Sequence, residues 1–359
     1  MQLHIFNPEH DMALALDMEK FVPSHAGREM RADLGFLPAL WAEDGDWVLV
    51  DDVEGAKARI RHLGAYAHNV HFITCDALGH HPSFLHIQPW GWNRALRRQL
   101  LDAGINEAQL PSHDVLSNIR QMSHRFWAAT HLLKPLVAGD TSNRVGLAHQ
   151  VSDAEELEVL IATLGKCVLK APWSSSGRGL RYVEQLTTHQ RGWARNIIAK
   201  QGSVMVEPYF HKVMYFACEF EVKGNEVRYC GLSIFRTVNG MYAGNVIATE
   251  QEKEDMVSEF FPFVKVRAAI NDLLQLFTEN LAGIYEGPLG VDMMLVNTEN
   301  ATKLHPCVEV NLRRTMGHVA LAFNPSPCMP RRLMQVGRES GTYHLRLLTT
   351  AENCLPYYW

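Results

Sequence analysis

The chain has 359 residues, of which 47% are hydrophobic and 20% are charged, and its formal net charge is −5. These proportions are typical of a globular protein, so they exclude wholesale disorder and collagen-like structure. The near balance of 34 basic and 39 acidic residues gives no electrostatic reason to expect a nucleic acid or an anionic membrane surface as a partner. A chain of this length predicts two or three domains.

The sequence contains no uninterrupted apolar stretch of about 18 residues, and its N-terminus lacks the pattern of a secretory signal peptide. The seven cysteines are widely spaced, without a CxxC pair, which argues against a disulfide framework and against a cysteine-based zinc site. We therefore expect a cytoplasmic protein without a membrane partner.

The first 112 residues alternate short apolar strands with helical patterns. The predicted strands are 3–6, 47–50, 70–74 and 84–87, and the predicted helices are 53–63 and 92–103. This alternation indicates a mostly parallel sheet and hence a Rossmann-like domain. Ligands of such sheets bind beyond the carboxyl ends of the strands, so the loops 7–11 and 88–92 are candidate ligand loops.

The loop after the first strand, Asn7-Pro8-Glu9-His10-Asp11, carries several polar side chains. His10 and Asp11 suit an acid–base pair. A turn in which Asn7 and Asp11 bond their own backbone explains the same residues equally well. By position alone, Asn7, Glu9, His10 and Asp11 are candidate substrate-binding residues.

The remaining sequence has the pattern of an α+β region. One long helix is predicted at 115–133, ended by Pro135, and a capping box beginning at Ser152 opens a helix that runs to residue 164. The other predicted elements are strands at 167–170, 180–183, 203–207, 215–222, 227–235, 290–296 and 307–311 and a helix at 264–281.

Lys170 ends one of these strands and is followed by a loop of small residues at 174–179. Backbone N–H groups of Gly and Ser can approach phosphate oxygens closely, and a lysine adds a positive charge, so the combination suits a polyphosphate. The arrangement is not a P-loop, because the lysine precedes the glycines. A hairpin turn beside a surface lysine is the alternative interpretation.

Asp292 lies in an otherwise apolar strand, and Glu309, Asn311 and Arg313 alternate along another. Residues two apart in a strand share a face, so the last three side chains point the same way. Two carboxylates and an amide oxygen from neighbouring strands suit Mg²⁺, and Arg313 beside them suits an oxyanion or a transferring phosphoryl group. A polar edge strand or a Glu–Arg salt bridge is the alternative.

In their order and spacing these segments resemble the ATP-grasp superfamily of carboxylate–amine ligases. The matching parts are Lys170 with its loop, the strand leading to Glu207-Pro208-Tyr209-Phe210, the strand around Asp292, and Glu309-Val310-Asn311-Leu312-Arg313. The resemblance implies an α/β and α+β protein with a Rossmann-like pre-grasp domain at 1–112 and an ATP-grasp domain at 113–330. Its two subdomains are expected at 113–203 and 204–330, followed by a C-terminal tail at 331–359.

The resemblance also implies ATP and Mg²⁺ as cofactors. Lys170 is expected at the α and β phosphates, the loop over the β and γ phosphates, and the 207–210 backbone at the adenine. The implied nucleotide-binding residues are Lys170, Arg125, Ser174, Ser175, Ser176, Gly177, Arg178, Gly179, Glu207, Pro208, Tyr209 and Phe210. The implied metal ligands are Asp292, Glu309 and Asn311.

Three catalytic residues are expected on the same basis. Arg313 would stabilise a tetrahedral oxyanion, helped by the Gly317 N–H, and Arg236 stands where the family tends to place a cation for the γ-phosphate. Arg125 replaces a lysine that often reaches the α-phosphate, and Met214 replaces an acidic residue that often binds the ribose. The last two positions depart from the family pattern.

The activity implied is an ATP-dependent, ADP-forming ligase that joins a small-molecule carboxylate to an amine or a thiol through an acyl phosphate. Substrate specificity is expected from the loop at 7–11 and from the loop at 314–318, which begins with Arg314. A kinase that phosphorylates a small-molecule hydroxyl would share these residues, and a nucleotide-binding regulator with a decayed site is a third interpretation. A homodimer is a further expectation, since many enzymes of this size dimerise.

Overall fold

The computed structural model describes residues 1–80, 84, 86–174, 179–238, 241–323, 325–326 and 329–349. The predicted loop residues Ser175, Ser176, Gly177 and Arg178 lie outside the described residues, as do residues 350–359 at the end of the predicted tail.

The N-terminal domain alternates strands and helices, as predicted. Its elements are β1 (Gln2–Ile5), α1 (His10–Leu16), α2 (His25–Leu34), β2 (Trp47–Leu49), α3 (Val53–Ile60), β3 (His71–Ile73), β4 (His86–Pro89) and α4 (Arg94–Asp102). The four strands pair in parallel in the order β3-β2-β1-β4. Because β1 and β4 are neighbours, the loops that follow them meet at one edge of the sheet. Helix α1 begins at His10, so the predicted loop 7–11 is shorter than expected.

A helical connection follows the N-terminal domain and differs from the prediction. The single helix expected at 115–133 is instead α5 (His113–Met122), α6 (Arg125–Ala128) and a π-helical turn (Ala129–Leu133), which leads directly into α7 (Lys134–Gly139). The chain turns at His124, whose side chain accepts a hydrogen bond from the Phe126 N–H as an N-cap. Pro135 lies in the first turn of α7, where a missing N–H is tolerated, so it does not end the helix.

A small antiparallel sheet follows. Its elements are β5 (His149–Val151), α8 (Ala154–Leu164), β6 (Cys167–Lys170), β7 (Leu180–Val183), α9 (Thr188–Gln201) and β8 (Val204–Pro208). The strands pair in the order β5-β8-β6-β7, and both helices contribute to a core on the sheet. The N-cap of α8 is Asp153, which accepts hydrogen bonds from the N–H groups of Glu155 and Glu156, so the capping box predicted from Ser152 is wrong.

The larger part of the second half contains two further sheets. Its elements are β9 (His211–Lys223), β10 (Glu226–Ser233), β11 (Phe235–Val238), β12 (Met241–Ile247), α10 (Glu250–Ser258), α11 (Phe263–Asn280), β13 (Gly287–Asn297), β14 (Thr302–Asn311), α12 (Met316–Ala322), β15 (Arg332–Glu339) and β16 (Thr342–Thr349). One sheet has the order β10-β9-β13-β14, and the other has the order β11-β12-β15-β16. Helix α11, the longest described helix, packs its apolar side into the main core. None of the described helices is both long and apolar enough to cross a membrane.

The predicted tail begins with an ordered antiparallel hairpin of β15 and β16. Met334 and Leu345 of this hairpin lie in the same core as Phe6 and Val48 of the N-terminal domain. A hydrogen bond from the Tyr343 N–H to Asp33 Oδ2, at 2.8 Å, joins the same two parts. The N-terminal domain is therefore packed against the end of the described chain.

Candidate active site

The two predicted carboxylates face each other across neighbouring strands. Asp292 on β13 is the register partner of Glu309 on β14. Asn311, two residues further along β14, is opposite Gly290 on β13. The three side chains therefore lie on one face of the sheet. Glu309 and Asn311 share a face as their spacing predicts, whereas β14 ends at Asn311 and Arg313 lies beyond the strand.

The electrostatics of this pair fit a cation. Burial and the negative charge of Glu309 raise the pKa of Asp292, although the positive charges of Arg313, Arg125 and Lys170 oppose the shift. Two carboxylates and an amide oxygen form an oxygen-only donor set, which Mg²⁺ prefers. The described residues contain no group of three or more His, Cys, Asp or Glu side chains placed to share a metal ion, so Asn311 would have to complete the set.

Arg125 connects the acidic pair to the loop that follows β6. Its Nη2 lies 2.8 Å from Glu309 Oε1, and its Nε donates to the Ala171 carbonyl at 3.1 Å. Nη2 also donates to the carbonyl of Ser174 at 3.3 Å. Arg125 therefore fixes the start of the predicted phosphate loop relative to β14.

The base of that loop is closed tightly. The Ala171 N–H donates to the Gly179 carbonyl at 2.9 Å, which brings the two ends of the loop together. A Cβ at Gly179 would collide with the Ser174 side chain, so this approach requires glycine. Ser174 and Gly179 thus mark the two described ends of the predicted phosphate loop.

Lys170 pairs with Glu207 across the small sheet. Lys170 Nζ lies 2.6 Å from Glu207 Oε2, and both side chains are largely buried. After Glu207, Pro208 ends β8 and the Tyr209 N–H donates to the Lys166 carbonyl at 3.0 Å.

Residues 207–210, the segment expected at the adenine, form the hinge between β8 and β9. The Phe210 N–H has no hydrogen-bond partner within the described part of the chain. The Phe210 ring packs edge-on against His305, with 5.7 Å between ring centroids. Of the four predicted hinge residues, Phe210 therefore has an N–H free to bind an adenine edge.

Arg313 reaches the N-terminal domain. Its guanidinium donates to both carboxylate oxygens of Asp11 and, through Nη2, to Asn311 Oδ1 at 2.8 Å. The predicted catalytic arginine and the predicted substrate residue are therefore partners. His10 Nδ1 faces the Asn93 amide and the Asp11 carboxylate binds Arg313, so no hydrogen bond joins His10 to Asp11 as the expected acid–base pair would require. The Asn7 side chain bonds Gly91 rather than its own backbone, so it does not form the alternative turn.

The contacts of three other predicted residues do not include the acidic pair. Arg314 stacks over the Trp41 ring at 4.6 Å, and burial lowers the pKa of its guanidinium to about 10. The Gly317 N–H donates to Thr315 Oγ1 at 3.1 Å, within the N-cap of α12, so it is not free for the predicted oxyanion contact. Arg236 lies on β11 opposite Gly244, and its side chain has no ion pair or hydrogen bond with a described residue.

The predicted substrate residues of the first loop divide between the two sides of α1. Asn7 and Glu9 line a cleft of about 480 Å³ in the N-terminal domain, where Glu9 Oε1 accepts from Arg31 at 3.3 Å. His10 and Asp11 line a cavity of about 20 Å³ on the other side, together with Ser174, Glu309 and Asn311. The second set lies at the junction of the N-terminal domain, the phosphate loop and the acidic pair.

Sequence reasoning missed two polar residues near this junction. Glu219 on β9 is fully buried, lies 3.0 Å from His318 Nδ1 and pairs in register with Gly290, and burial raises its pKa to about 8. It carries the same signal as Asp292, an acidic residue within an apolar strand. Asn93, the N-cap of α4, could have been found from its position before a helical pattern.

The sheet β5-β8-β6-β7 is the small sheet, and the sheet β10-β9-β13-β14, which carries the acidic pair, is called the large sheet. Joined by the hinge and preceded by a Rossmann-like domain, these two sheets have the arrangement of an ATP-grasp fold. Among solved structures, N5-carboxyaminoimidazole synthetase from Staphylococcus aureus, complexed with ADP, is similar with a TM-score of 0.51 and 12% identity, over 98% of this chain and 93% of that one. Biotin carboxylase from Campylobacter jejuni, in its beta-gamma-ATP complex, is similar with a TM-score of 0.50 and 12% identity, over 93% of this chain and 75% of that one. No profile of a known protein family and no curated protein sequence matches the chain. The likeness establishes the fold.

Proposed function

We propose that the chain is an ATP-dependent, ADP-forming ligase that activates a small-molecule carboxylate as an acyl phosphate and passes the acyl group to an amine or a thiol. The observation that carries the proposal is the pairing of Asp292 with Glu309 beside Arg125 and Arg313. Both comparison structures were solved with an adenine nucleotide, which supports ATP as the phosphate donor.

The nucleotide would lie between the small sheet and the large sheet. Lys170, the closed base of the loop at Ser174 and Gly179, and the free Phe210 N–H are the residues suited to the phosphates and the adenine. Asp292, Glu309 and Asn311 would hold Mg²⁺, which when bound neutralises charge on the phosphates. Arg236 is a further unpaired cation among the described residues.

The proposed reaction has two steps. An oxygen of the substrate carboxylate attacks the γ-phosphorus, the bond to ADP breaks, and an acyl phosphate forms. The amine then attacks the acyl carbon, inorganic phosphate leaves with the attacking oxygen of the carboxylate, and the amine loses a proton. Arg313 suits the tetrahedral oxyanion of the second step, because Asp11 holds its guanidinium in one orientation.

Hydroxylamine trapping tests the proposal. The protein is incubated with Mg-ATP, hydroxylamine and a fractionated pool of small cellular carboxylates, and hydroxamates are sought by mass spectrometry. Hydroxamate formation that requires ATP is expected. Glu309→Gln should abolish it, whereas Glu158→Gln, which removes a carboxylate from an exposed pair with Arg191, should not.

Other outcomes would contradict the proposal. ADP release without a hydroxamate would favour phosphorylation of a hydroxyl. Hydroxamate formation at the wild-type rate in Glu309→Gln would show that the acidic pair has been assigned the wrong role.

A further inference from the structure

His10 has a feature that the proposed function leaves unexplained. It lies in the first turn of α1, is 1% exposed, and lines the cavity of about 20 Å³ that Ser174 and Glu309 also line. A cavity of this size holds about one water-sized atom. His10 is therefore placed where a single oxygen of a bound molecule would fit.

Asn93 determines which ring nitrogen of His10 carries the hydrogen. As the N-cap of α4, Asn93 accepts a hydrogen bond from the Leu96 N–H through Oδ1 at 2.9 Å. Its amide nitrogen therefore faces His10 Nδ1, at 3.1 Å, and donates to it. Since Nδ1 accepts, the hydrogen of the neutral ring is on Nε2.

The imidazole is neutral, and its remaining donor is unused. Burial lowers the pKa of His10 to about 4, with Asp11 and the Gly91 carbonyl acting in the opposite direction and Arg313 acting with burial. Nε2 is buried and has no hydrogen-bond partner within the described residues. Buried donors nearly always have a partner, so an unused donor beside a cavity indicates a place for an acceptor.

We propose that the His10 Nε2–H donates a hydrogen bond to one oxygen of the substrate carboxylate, and that Asn93 is the positioning residue that keeps the hydrogen on Nε2. This inference rests on the proposed ligase function and assigns its carboxylate subsite. The other charged groups around the cavity are already paired, Asp11 with Arg313 and Glu309 with Arg125. An acceptor oxygen here would lie beside Glu309, where phosphoryl transfer is proposed.

The first test uses nuclear magnetic resonance of protein labelled with ¹⁵N-histidine, and formate is the probe. The His10 signals are assigned by their loss in His10→Gln. At pH 7 the wild-type ring is expected as the neutral Nε2–H tautomer, and formate should shift the Nε2 signal saturably, whereas chloride at equal ionic strength should not. An Nδ1–H tautomer, an equal response to chloride or no response to formate would each overturn the proposal.

Asn93→Asp provides a matched variant. Aspartate retains an oxygen for the Leu96 N–H but turns a second oxygen toward His10 Nδ1, which favours the Nδ1–H tautomer. At pH 8 this variant is expected to lose the formate response while remaining folded. An unchanged response would show that Asn93 does not control the tautomer.

The second test uses turnover. For a carboxylate recovered as its hydroxamate, His10→Leu should raise the carboxylate KM roughly 10- to 100-fold, as expected for loss of a hydrogen bond to a charged acceptor. The ATP KM should change less than about twofold, and His10→Gln, which places an N–H near the same point, should recover part of the loss. Equal effects on both substrates would overturn the assignment. If the wild-type protein forms no hydroxamate, the ligase proposal fails, and the formate experiment still decides whether the subsite exists.

Discussion

Asp11 and Arg313, separated by 302 positions, form a bidentate ion pair in which Arg313 Nε donates to Oδ1 at 2.9 Å and Nη2 donates to Oδ2 at 2.7 Å. Asp11 belongs to the first helix of the N-terminal domain, and Arg313 lies two residues beyond the end of the strand that carries Glu309 and Asn311. Because Arg313 also donates to Asn311, one guanidinium joins the N-terminal domain to the proposed metal ligands.

Asp11→Asn is expected to lower the free energy of unfolding by about 2–5 kcal/mol, because it leaves Arg313 without a charged partner in a largely buried position. Urea unfolding at pH 7 measures the change. Glu158→Gln, which breaks an exposed pair with Arg191, should cost less than about 1 kcal/mol. A cost for Asp11→Asn as small as that of the control would contradict the proposed importance of this contact.

The same pair has a defined pH dependence. Burial acts to raise the pKa of Asp11, but the charge and hydrogen bonds of Arg313 outweigh it and lower the pKa below its ordinary value. The pKa of Asp11 is thus lower in the folded state than the unfolded-state pKa of about 4. The ion pair therefore stabilises the fold above about pH 4, and this contribution is lost as the pH falls through the folded-state pKa. The stability difference between wild type and Asp11→Asn should therefore narrow below about pH 4 and stay constant above about pH 5.

Lys170 and Glu207 allow stability to be separated from nucleotide binding. Lys170→Met should destabilise the fold by about 3–5 kcal/mol, because Glu207 remains buried and unpaired. The double variant Lys170→Met with Glu207→Gln should recover much of that stability while its Mg-ATP affinity stays at least about tenfold weaker than wild type. Calorimetric titration and thermal unfolding give the two quantities, and wild-type affinity in the double variant would remove Lys170 from the nucleotide site.

Position 91 requires glycine because its backbone lies close to the His10 ring. A Cβ at this position would lie 2.7 Å from three atoms of the imidazole, so Gly91→Ala should cost about 1–3 kcal/mol and displace the ring. Gly192→Ala is the control, because Gly192 lies within α9 with nothing within 4 Å of the added atom. That substitution should be neutral or stabilising by up to about 1 kcal/mol. Similar unfolding midpoints for the two variants would contradict the close packing around His10.

His305 is expected to contribute to the loss of folding stability in acid. Neither ring nitrogen has a hydrogen-bond partner among the described residues, and burial lowers the pKa of the imidazole to about 4. Below about pH 6.5 the unfolded state binds a proton that the folded state does not, so this residue removes about 2 kcal/mol of stability by pH 5. His305→Leu should flatten the stability curve between about pH 7.5 and pH 5 by that amount relative to wild type. Parallel curves would show that His305 does not titrate as described.

The local pattern of apolar and polar residues predicted much of the expected ATP-grasp domain. The strands carrying Lys170, Glu207, Asp292 and Glu309 lie where the sequence indicates, because each is an apolar run bounded by turns or charges. The pairing of Asp292 with Glu309 also follows, since the two strands are adjacent and antiparallel. These features depend on residues close together in the chain.

Features that depend on tertiary contact were not predictable in this way. Helix α1 has no side-chain N-cap, so nothing local marks its start at His10. The break at His124 comes from a side-chain cap that interrupts an otherwise continuous helical pattern. The contact of Asp11 with Arg313 joins distant segments, and one sequence contains no signal for it.

Transfer of an oxygen isotope from carboxylate to phosphate tests the central claim most directly. A carboxylate pool whose oxygens have been exchanged with ¹⁸O in acid is incubated with the protein, Mg-ATP and hydroxylamine, and the released phosphate is analysed by mass spectrometry. If the carboxylate attacks the γ-phosphorus and phosphate later leaves from the acyl carbon, each phosphate released with ADP carries one ¹⁸O. Release of ADP with phosphate that contains no ¹⁸O would contradict the acyl-phosphate mechanism and, with it, the proposed ligase function.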